Sequence, residues 1–355
     1  MRLVLEPRPA PSPLWRIAAP GLAVAATALS GLVLFRALGL DPARALWSFF
    51  VAPLSSLWGL SELFVKAAPL ALIALGLAPG FRAGVWNIGA EGQLTIGAIA
   101  AGGLLLALWP LDAPWVLPAA ILVGILGGAG WAWIPASLRI RRGASEILVS
   151  LMLTYVAQLL LSALVYGPWR DPEGFNFPHT RLFQVSLPIL LEGTRLHPGV
   201  VLAPLLALLA WLLLARSIAG LALAVSGAAP AAAHAGFERA RIVRTCLLLS
   251  GGLAGLAGVL EVTGPIGQLL PSLTPGYGFT AIIVAFLGRL HPLGILPAAL
   301  IVALAHLGGE TAQIEAGLPQ AITGLFQGLL LFFLLGSETL VRYRIRLHHP
   351  ETAAR

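Results

Sequence analysis

The stretch Gly84-Val85-Trp86-Asn87-Ile88-Gly89-Ala90-Glu91-Gly92-Gln93 places three polar side chains between long apolar runs. Such side chains are costly in a membrane unless they meet partners or water, and glycines allow a bend or a close helix approach. Two interpretations stay open. Either Asn87, Glu91 and Gln93 face a path for a solute, or they join helices, with Glu91 paired to a cation such as Arg82.

The composition of the whole chain places it in lipid. Of its 355 residues 58% are hydrophobic and only 10% are charged, whereas soluble domains carry about 25% charged residues. The net charge of +7 comes from basic residues between apolar runs, so it indicates membrane topology rather than nucleic-acid binding. The single cysteine, Cys246, excludes an internal disulfide and a cysteine-based metal cluster.

Ten apolar runs are candidates for membrane spans, which need about 20 residues each. They cover 17–35, 60–79, 87–109, 115–137, 147–166, 198–215, 245–262, 276–289, 292–307 and 319–337. The eighth and ninth are short and are separated by Gly288, Arg289 and Pro292, so half-helices or a re-entrant pair are expected there. The prediction is an all-α integral membrane protein, a bundle of about ten transmembrane helices with short or broken members.

The distribution of basic residues predicts the orientation. With ten spans, sixteen basic residues lie on the side of the termini and six on the other side. The positive-inside rule therefore places both termini in the cytoplasm. On this topology residues 167–197 form a long outer loop and residues 216–244 a long inner loop.

Two further patterns have simple structural interpretations. Glu62 and Lys66 are spaced i, i+4 at the outer end of the second run and are expected to pair. Glu310 and Glu315 are expected in a solvated outer loop. No Walker A motif surrounds Lys66, the one lysine, so any nucleotide would be bound by another chain.

Four sequence blocks carry a resemblance to a known family. They are the stretch from Phe81 to Gln93, Gly143-Ala144-Ser145-Glu146-Ile147 with Leu151-Met152-Leu153, the glycine-rich run from Ser250 to Gly258, and the run from Gly276 to Gly294. In this order, across about residues 60–335, they resemble ABC transporter permeases of the nucleoside and simple-sugar uptake branch. The resemblance implies a fold like that of a type II ABC importer permease.

The resemblance also implies partners. Ala90-Glu91-Gly92-Gln93 and a whole span before residue 60 are similar to the longer of two paired permeases. A second homologous permease, a cytoplasmic ABC ATPase and an extracytoplasmic substrate-binding lipoprotein of the basic membrane protein type are therefore expected, in the bacterial cytoplasmic (inner) membrane. No cofactor is expected on this chain, since ATP and Mg would belong to the ATPase.

The inner loop resembles the coupling segment of such permeases. A short Ala-rich helix between turns suits a groove on an ATPase, and arginines flank it; the alternative is an ordinary basic loop. Ala224, Ala229, Ser145 and Thr154 stand where the family commonly has larger polar residues, so the polar contacts that the family's residues make at these positions are not expected here. The residues assigned to coupling are Gly227, Pro230, Ala232, Gly236 and Phe237.

The candidate translocation pathway comprises Asn87, Glu91, Gln93, Trp86, Tyr277 and Phe279. The predicted organisation is a leader, first span and outer loop over 1–59, a permease core over 60–337 and a basic tail over 338–355. Because mid-span acidic residues are few, an ion-coupled secondary transporter is the weaker alternative. An intramembrane enzyme is weaker still, since no cluster of acid–base groups is visible and neither catalytic nor metal-binding residues are predicted.

Overall fold

The computed structural model describes residues 2–7, 13–226 and 238–348, and it is predominantly helical in these ranges. The chain divides into two compact units, one of residues 1–59 with 304–355 and one of residues 60–303. The predicted coupling residues Gly227, Pro230, Ala232, Gly236 and Phe237 lie outside the described residues.

Twelve helices and two strands are used below. The strands are β1 (Arg2–Pro7) and β2 (Tyr343–His348). The helices are α1 (Pro13–Ala37), α2 (Pro42–Phe50), α3 (Leu57–Arg82), α4 (Ala90–Ala107), α5 (Val116–Arg142), α6 (Glu146–Tyr166), α7 (Gly199–Arg216), α8 (Ile218–Ser226), α9 (Arg239–Glu261), α10 (Tyr277–Leu287), α11 (Pro292–Ala316) and α12 (Gln320–Arg342).

Among the described residues, seven helices are long and apolar enough to cross a membrane: α3 to α7, α9 with its extension, and α11. Shorter apolar helices cover Gly21–Ala37, Tyr277–Leu287 and Gly324–Leu334. This pattern confirms a polytopic helical membrane protein, with helices at all ten predicted runs. The eleven residues of α10 extend only about 16 Å, half of a bilayer core of about 30 Å.

The ninth run was predicted as short, and this was wrong. Helix α11 has 25 residues and continues through His306, Gly308 and Glu310, where polar and small residues end the apolar pattern. Gly308 marks a close packing contact rather than a helix end, because any side chain there would collide with the carbonyl of Phe49. Glu315 is likewise helical rather than in a loop, and it accepts a hydrogen bond from Ser48 (2.8 Å).

The unit of residues 1–59 and 304–355 is built on an aromatic cluster. Phe49 meets Phe326 edge-on with ring centroids 4.5 Å apart, and Phe35 lies 5.3 Å from Phe326. These rings belong to α1, α2 and α12, so residues 304–342 pack with the N-terminal helices. The predicted core over 60–337 thus extends further than the second compact unit, which ends at Ala303. β1 and β2 pair antiparallel, from Arg2 opposite His348 to Pro7 opposite Tyr343.

The unit of residues 60–303 is centred on a contact between α4, α5 and α9. A side chain at Gly97 would overlap the backbone of Gly255, and one at Gly128 would overlap the backbones of Gly251 and Gly255. Small residues let membrane helices approach until their backbones touch, which maximises van der Waals contact. We call Gly97, Gly128, Gly251 and Gly255 the glycine crossing.

Replacing Gly128 with Ala is expected to destabilise the protein by about 1–3 kcal/mol, the usual cost of inserting atoms into a packed site. Thermal unfolding in detergent measures the change. Gly130 is the matched control on the same helix, because a methyl group there meets nothing within 4 Å. Equal midpoints for Gly128→Ala and Gly130→Ala would contradict the tight crossing.

Candidate functional site

The break between α3 and α4 is held by the side chain of Asn87. Its amide donates to Gln93 Oε1 (2.8 Å) and to Ser250 Oγ on α9 (2.7 Å). Its carbonyl oxygen accepts from Gln93 Nε2 (3.1 Å) and from the backbone N–H of Gly89 (3.0 Å). Both side chains are buried, so these contacts offset the cost of their desolvation. Asn87 and Gln93 therefore act in this structure as contacts between segments.

Glu91 joins the starts of two helices. Its carboxylate accepts from Thr274 Oγ1 (2.6 Å) and from the backbone N–H of Gly278 (2.5 Å). Glu91 lies in the first turn of α4 and Gly278 in the first turn of α10, so a negative group sits at two positive helix ends. A side chain at Gly278 would overlap the backbone of Glu91. The partners are Thr274 and Gly278 rather than the expected Arg82.

The eighth predicted run, 276–289, is the short helix α10; together with the non-helical residues before it, we call it the discontinuous span. Residues 269–276 before α10 are not helical, and Leu269 packs where a side chain at Gly102, near the end of α4, would lie. Thr274 and Gly278 reach Glu91 at the start of α4. This segment therefore runs antiparallel to α4, and α10 continues beyond it as the predicted half-helix.

Aromatic rings cover the other end of α10. Phe286 stacks on Phe81, with centroids 5.2 Å apart, and on Trp86 at 5.8 Å. Trp86 is 38% exposed, which makes it the most accessible of the six predicted pathway residues. Tyr277 is buried, and Phe279 is partly buried. Lining of a pathway by these residues stays a prediction.

Three contact residues were missed as site residues. Ser250 accepts from the Asn87 amide, and Thr274 donates to the Glu91 carboxylate. Ser150 Oγ accepts from the backbone N–H of Ile88 (3.3 Å). The sequence signal that could have identified these residues is a serine or threonine among small or turn-forming neighbours. Such a residue is also common in membrane helices as a contact to its own backbone, so the signal is weak.

The block Gly143-Ala144-Ser145-Glu146 forms the turn between α5 and α6. Gly143 has a φ of +67°, which favours glycine, and it ends α5. Ser145 caps α6 by accepting from the N–H of Leu148 (3.5 Å), and Glu146 pairs with Arg139 at 3.2 Å. The block thus fixes a tight helical hairpin.

The loop over 167–198 folds as a compact layer. Asp171 and His179 are joined through their backbones (2.8 Å), and Arg170 donates to Asn176 (2.6 Å). Phe175 and Asn176 have left-handed backbones, with φ of 48° and 70°. This uncommon conformation presents the Phe175 side chain with 92% exposure.

Glu62 anchors this loop to α3. Its carboxylate receives both Nε (2.8 Å) and Nη2 of Arg195, a bidentate pair. Glu62 is 1% exposed, so the ion pair compensates a buried charge. The i, i+4 spacing predicted a pair with Lys66, which stays a prediction, and the structure places the Arg195 guanidinium on both oxygens of Glu62. Next to this pair, burial lowers the pKa of His197 to about 4, against the opposing effect of Glu62.

Replacing Arg195 with Met is expected to lower the thermal midpoint, because it leaves the buried Glu62 carboxylate without this cation. Losing one partner of a fully buried pair costs about 3–5 kcal/mol, and less is expected here because the Arg195 side chain is 47% exposed. The double variant Glu62→Gln with Arg195→Met should recover part of the loss. A double variant no more stable than Arg195→Met would contradict the compensation.

Comparisons with known proteins identify the family of the chain. Residues 59–335 match the family described as the branched-chain amino acid transport system permease component. A glucose ABC transporter permease protein of Haloferax volcanii is 36% identical, over 97% of this chain and 94% of the relative. No solved structure matches the chain.

Two relatives are named for nucleosides. A guanosine ABC transporter permease protein of Bacillus subtilis is 29% identical, over 82% of this chain and 84% of its own. A nucleoside ABC transporter permease protein of Lactococcus lactis is 24% identical, over 96% and 94%. The chain therefore belongs to the ABC transporter permeases, in the branch that takes up nucleosides and simple sugars.

Proposed function

We propose that the chain is one of two permease subunits of an ABC importer that carries a nucleoside or a related simple sugar, using ATP hydrolysed by a separate ATPase. The observation that carries this proposal is the discontinuous span beside α4. Non-helical backbone at membrane depth is tolerated where it meets protein or a water-filled cavity, and transporters commonly bind their solutes beside broken helices.

The mechanism proposed is alternating access. A substrate-binding lipoprotein docks on the loop over 167–197, where Phe175 is presented. ATP binding closes the ATPase, and the inner loop 216–244 with Gly227, Pro230, Ala232, Gly236 and Phe237 passes the motion to the spans. The proposal places both termini in the cytoplasm, which puts residues 167–197 outside the cell and residues 216–244 inside it. ATP and Mg belong to the partner, and this chain carries no cofactor of its own.

The solute is proposed from the relatives and from the accessible aromatic ring. The glucose and guanosine permeases both align over more than four fifths of the chain. Stacked Trp86, Phe81 and Phe286 offer a π face, which suits a nucleobase and also the apolar face of a sugar ring. Nucleosides are the first class to test and simple sugars the second.

An ion-coupled secondary transporter remains the second candidate, because Glu91 is an acidic residue within a span. The contacts of Glu91 favour the first proposal. Both carboxylate oxygens already accept from Thr274 and Gly278, so the group is engaged by protein donors rather than held ready for a coupling ion.

The test is reconstitution of the assembly. The chain, co-expressed with its genomic neighbours, should co-elute with an ATPase and a second permease. In proteoliposomes with the binding protein, labelled guanosine or glucose should accumulate only with ATP, and an ATPase variant lacking its catalytic carboxylate should abolish uptake. Uptake by this chain alone, driven by an ion gradient, would overturn the proposal in favour of the second candidate.

Replacing Glu91 with Gln is expected to slow uptake while the complex still co-elutes. The amide keeps one acceptor oxygen but turns its NH2 group toward a donor, and an unsatisfied buried group costs about 1–3 kcal/mol. The initial uptake rate at saturating solute measures the effect. Glu310→Gln, on the exposed side of α11, is the matched control, and equal rates for both variants would exclude a role for Glu91.

A further inference from the structure

Residues 180–187 of the long loop, here called the strap, lie against the chain that links α9 to α10. The backbone N–H groups of Leu187, Phe183 and Thr180 donate to the carbonyls of Thr263 (2.8 Å), Gly267 (2.9 Å) and Leu269 (3.1 Å), respectively. The donors descend in number as the acceptors ascend, so the two segments run antiparallel. The loop is therefore bonded to the start of the discontinuous span.

Thr180 makes the most complete contact of the strap. Its N–H donates to the Leu269 carbonyl, and its hydroxyl oxygen accepts from the Leu269 N–H at 3.0 Å. Both residues are fully buried. The Leu269 side chain packs over Gly102, where an added side chain would come within 2.7 Å of it. Leu269 is thus held by Thr180 through its backbone and by α4 through its side chain.

The segment that begins at Leu269 ends at Glu91. Five residues after Leu269, Thr274 donates to Glu91, and Gly278 does so from the first turn of α10. Gly102 and Glu91 are eleven residues apart on α4, a rise of about 16 Å. The segment is therefore fixed to α4 at both ends, by Leu269 near one end of the helix and by Glu91 at the other.

The strap also spans a change in helical geometry. After Glu261 the chain forms a π-helical turn over Val262–Ile266, and Gly267 follows with a φ of +76°. Such turns interrupt α-helices at functional positions, and glycine tolerates this φ without strain. The strap contacts Thr263 within the turn and Gly267 after it, so a displaced strap acts on both sides of a bend.

We propose that Thr180 is a positioning residue for transport: it couples the long loop, through Leu269, to the end of α10 that Glu91 holds. This rests on the proposed importer function, in which a binding protein engages that loop. Movement of the strap would shift Leu269 out of its place at Gly102 and alter the contacts of Thr274 and Gly278 with Glu91. Thr180 itself touches no solute.

The test compares Thr180→Val with Thr180→Ser in the complete reconstituted assembly. Valine has nearly the same shape but cannot accept from the Leu269 N–H, whereas serine can. We expect Thr180→Val to lower the maximal rate of ATP-driven uptake about fivefold and to leave the binding-protein concentration at half-maximal rate unchanged. Thr180→Ser should keep the uptake rate of the wild type. Equal rates for Thr180→Val and the wild type, or equal losses for both variants, would overturn the proposal.

A double-mutant cycle with Glu91→Gln tests the coupling itself. If both residues act through the same segment, the uptake rate of the double variant should fall by a smaller factor than the product of the two single-variant factors. Thr194→Val is the matched control, because Thr194 also accepts a backbone N–H, from Leu196 (3.3 Å), in the same loop. Its effect should multiply independently with that of Glu91→Gln. Independent multiplication for Thr180→Val would contradict the coupling.

Amide hydrogen exchange separates failure of this inference from failure of the importer function. In the purified chain in detergent, Thr180→Val should speed exchange at Leu269 and Gly278 relative to Thr180→Ser. This readout does not depend on uptake. Absence of ATP-driven uptake by the wild-type assembly would refute the importer function alone, whereas unchanged exchange at Gly278 would refute the role of Thr180.

Discussion

The contact on which the position of α10 depends is that of the Glu91 carboxylate, which lies between the starts of α4 and α10. A carboxylate in a membrane span is costly, and here two donors and the positive ends of α4 and α10 offset that cost. Because α10 is too short to cross a bilayer, its position depends on what holds its first turn. Glu91 therefore fixes the position of a half-helix that is too short to be held in place by spanning the bilayer.

Around this contact the structure joins the polar side chains to one another by hydrogen bonds. Asn87 and Gln93 satisfy each other and reach Ser250 on α9. The break before α4 and the non-helical segment before α10 thus meet protein partners on their buried sides. In the proposed mechanism these contacts are exchanged for others during transport, and this exchange connects the site to the loop that is hydrogen-bonded beside it.

Local patterns in the sequence were enough to predict the fold class. They were not enough to predict contacts between residues far apart in the sequence. Apolar length and the glycine spacing indicated the spans and the shortness of α10. The C-terminal end of α11 was predicted too early, because Gly308 is typical of a helix end unless its contact with Phe49 is known. Likewise no local spacing indicated the contact between Glu62 and Arg195, which lie 133 positions apart. Partners that far apart follow from packing, which a single sequence does not encode locally.

The glycine crossing limits where an opening can form. Gly97 and Gly128 both lie against the backbone of Gly255, so α4, α5 and α9 are in close contact at these positions, and packed interiors resist compression. A cavity of solute size between these three helices would separate every one of those contacts at once. The three helices are therefore expected to move as one rigid unit. A space that opens and closes for a solute is then expected beside this unit rather than between its helices.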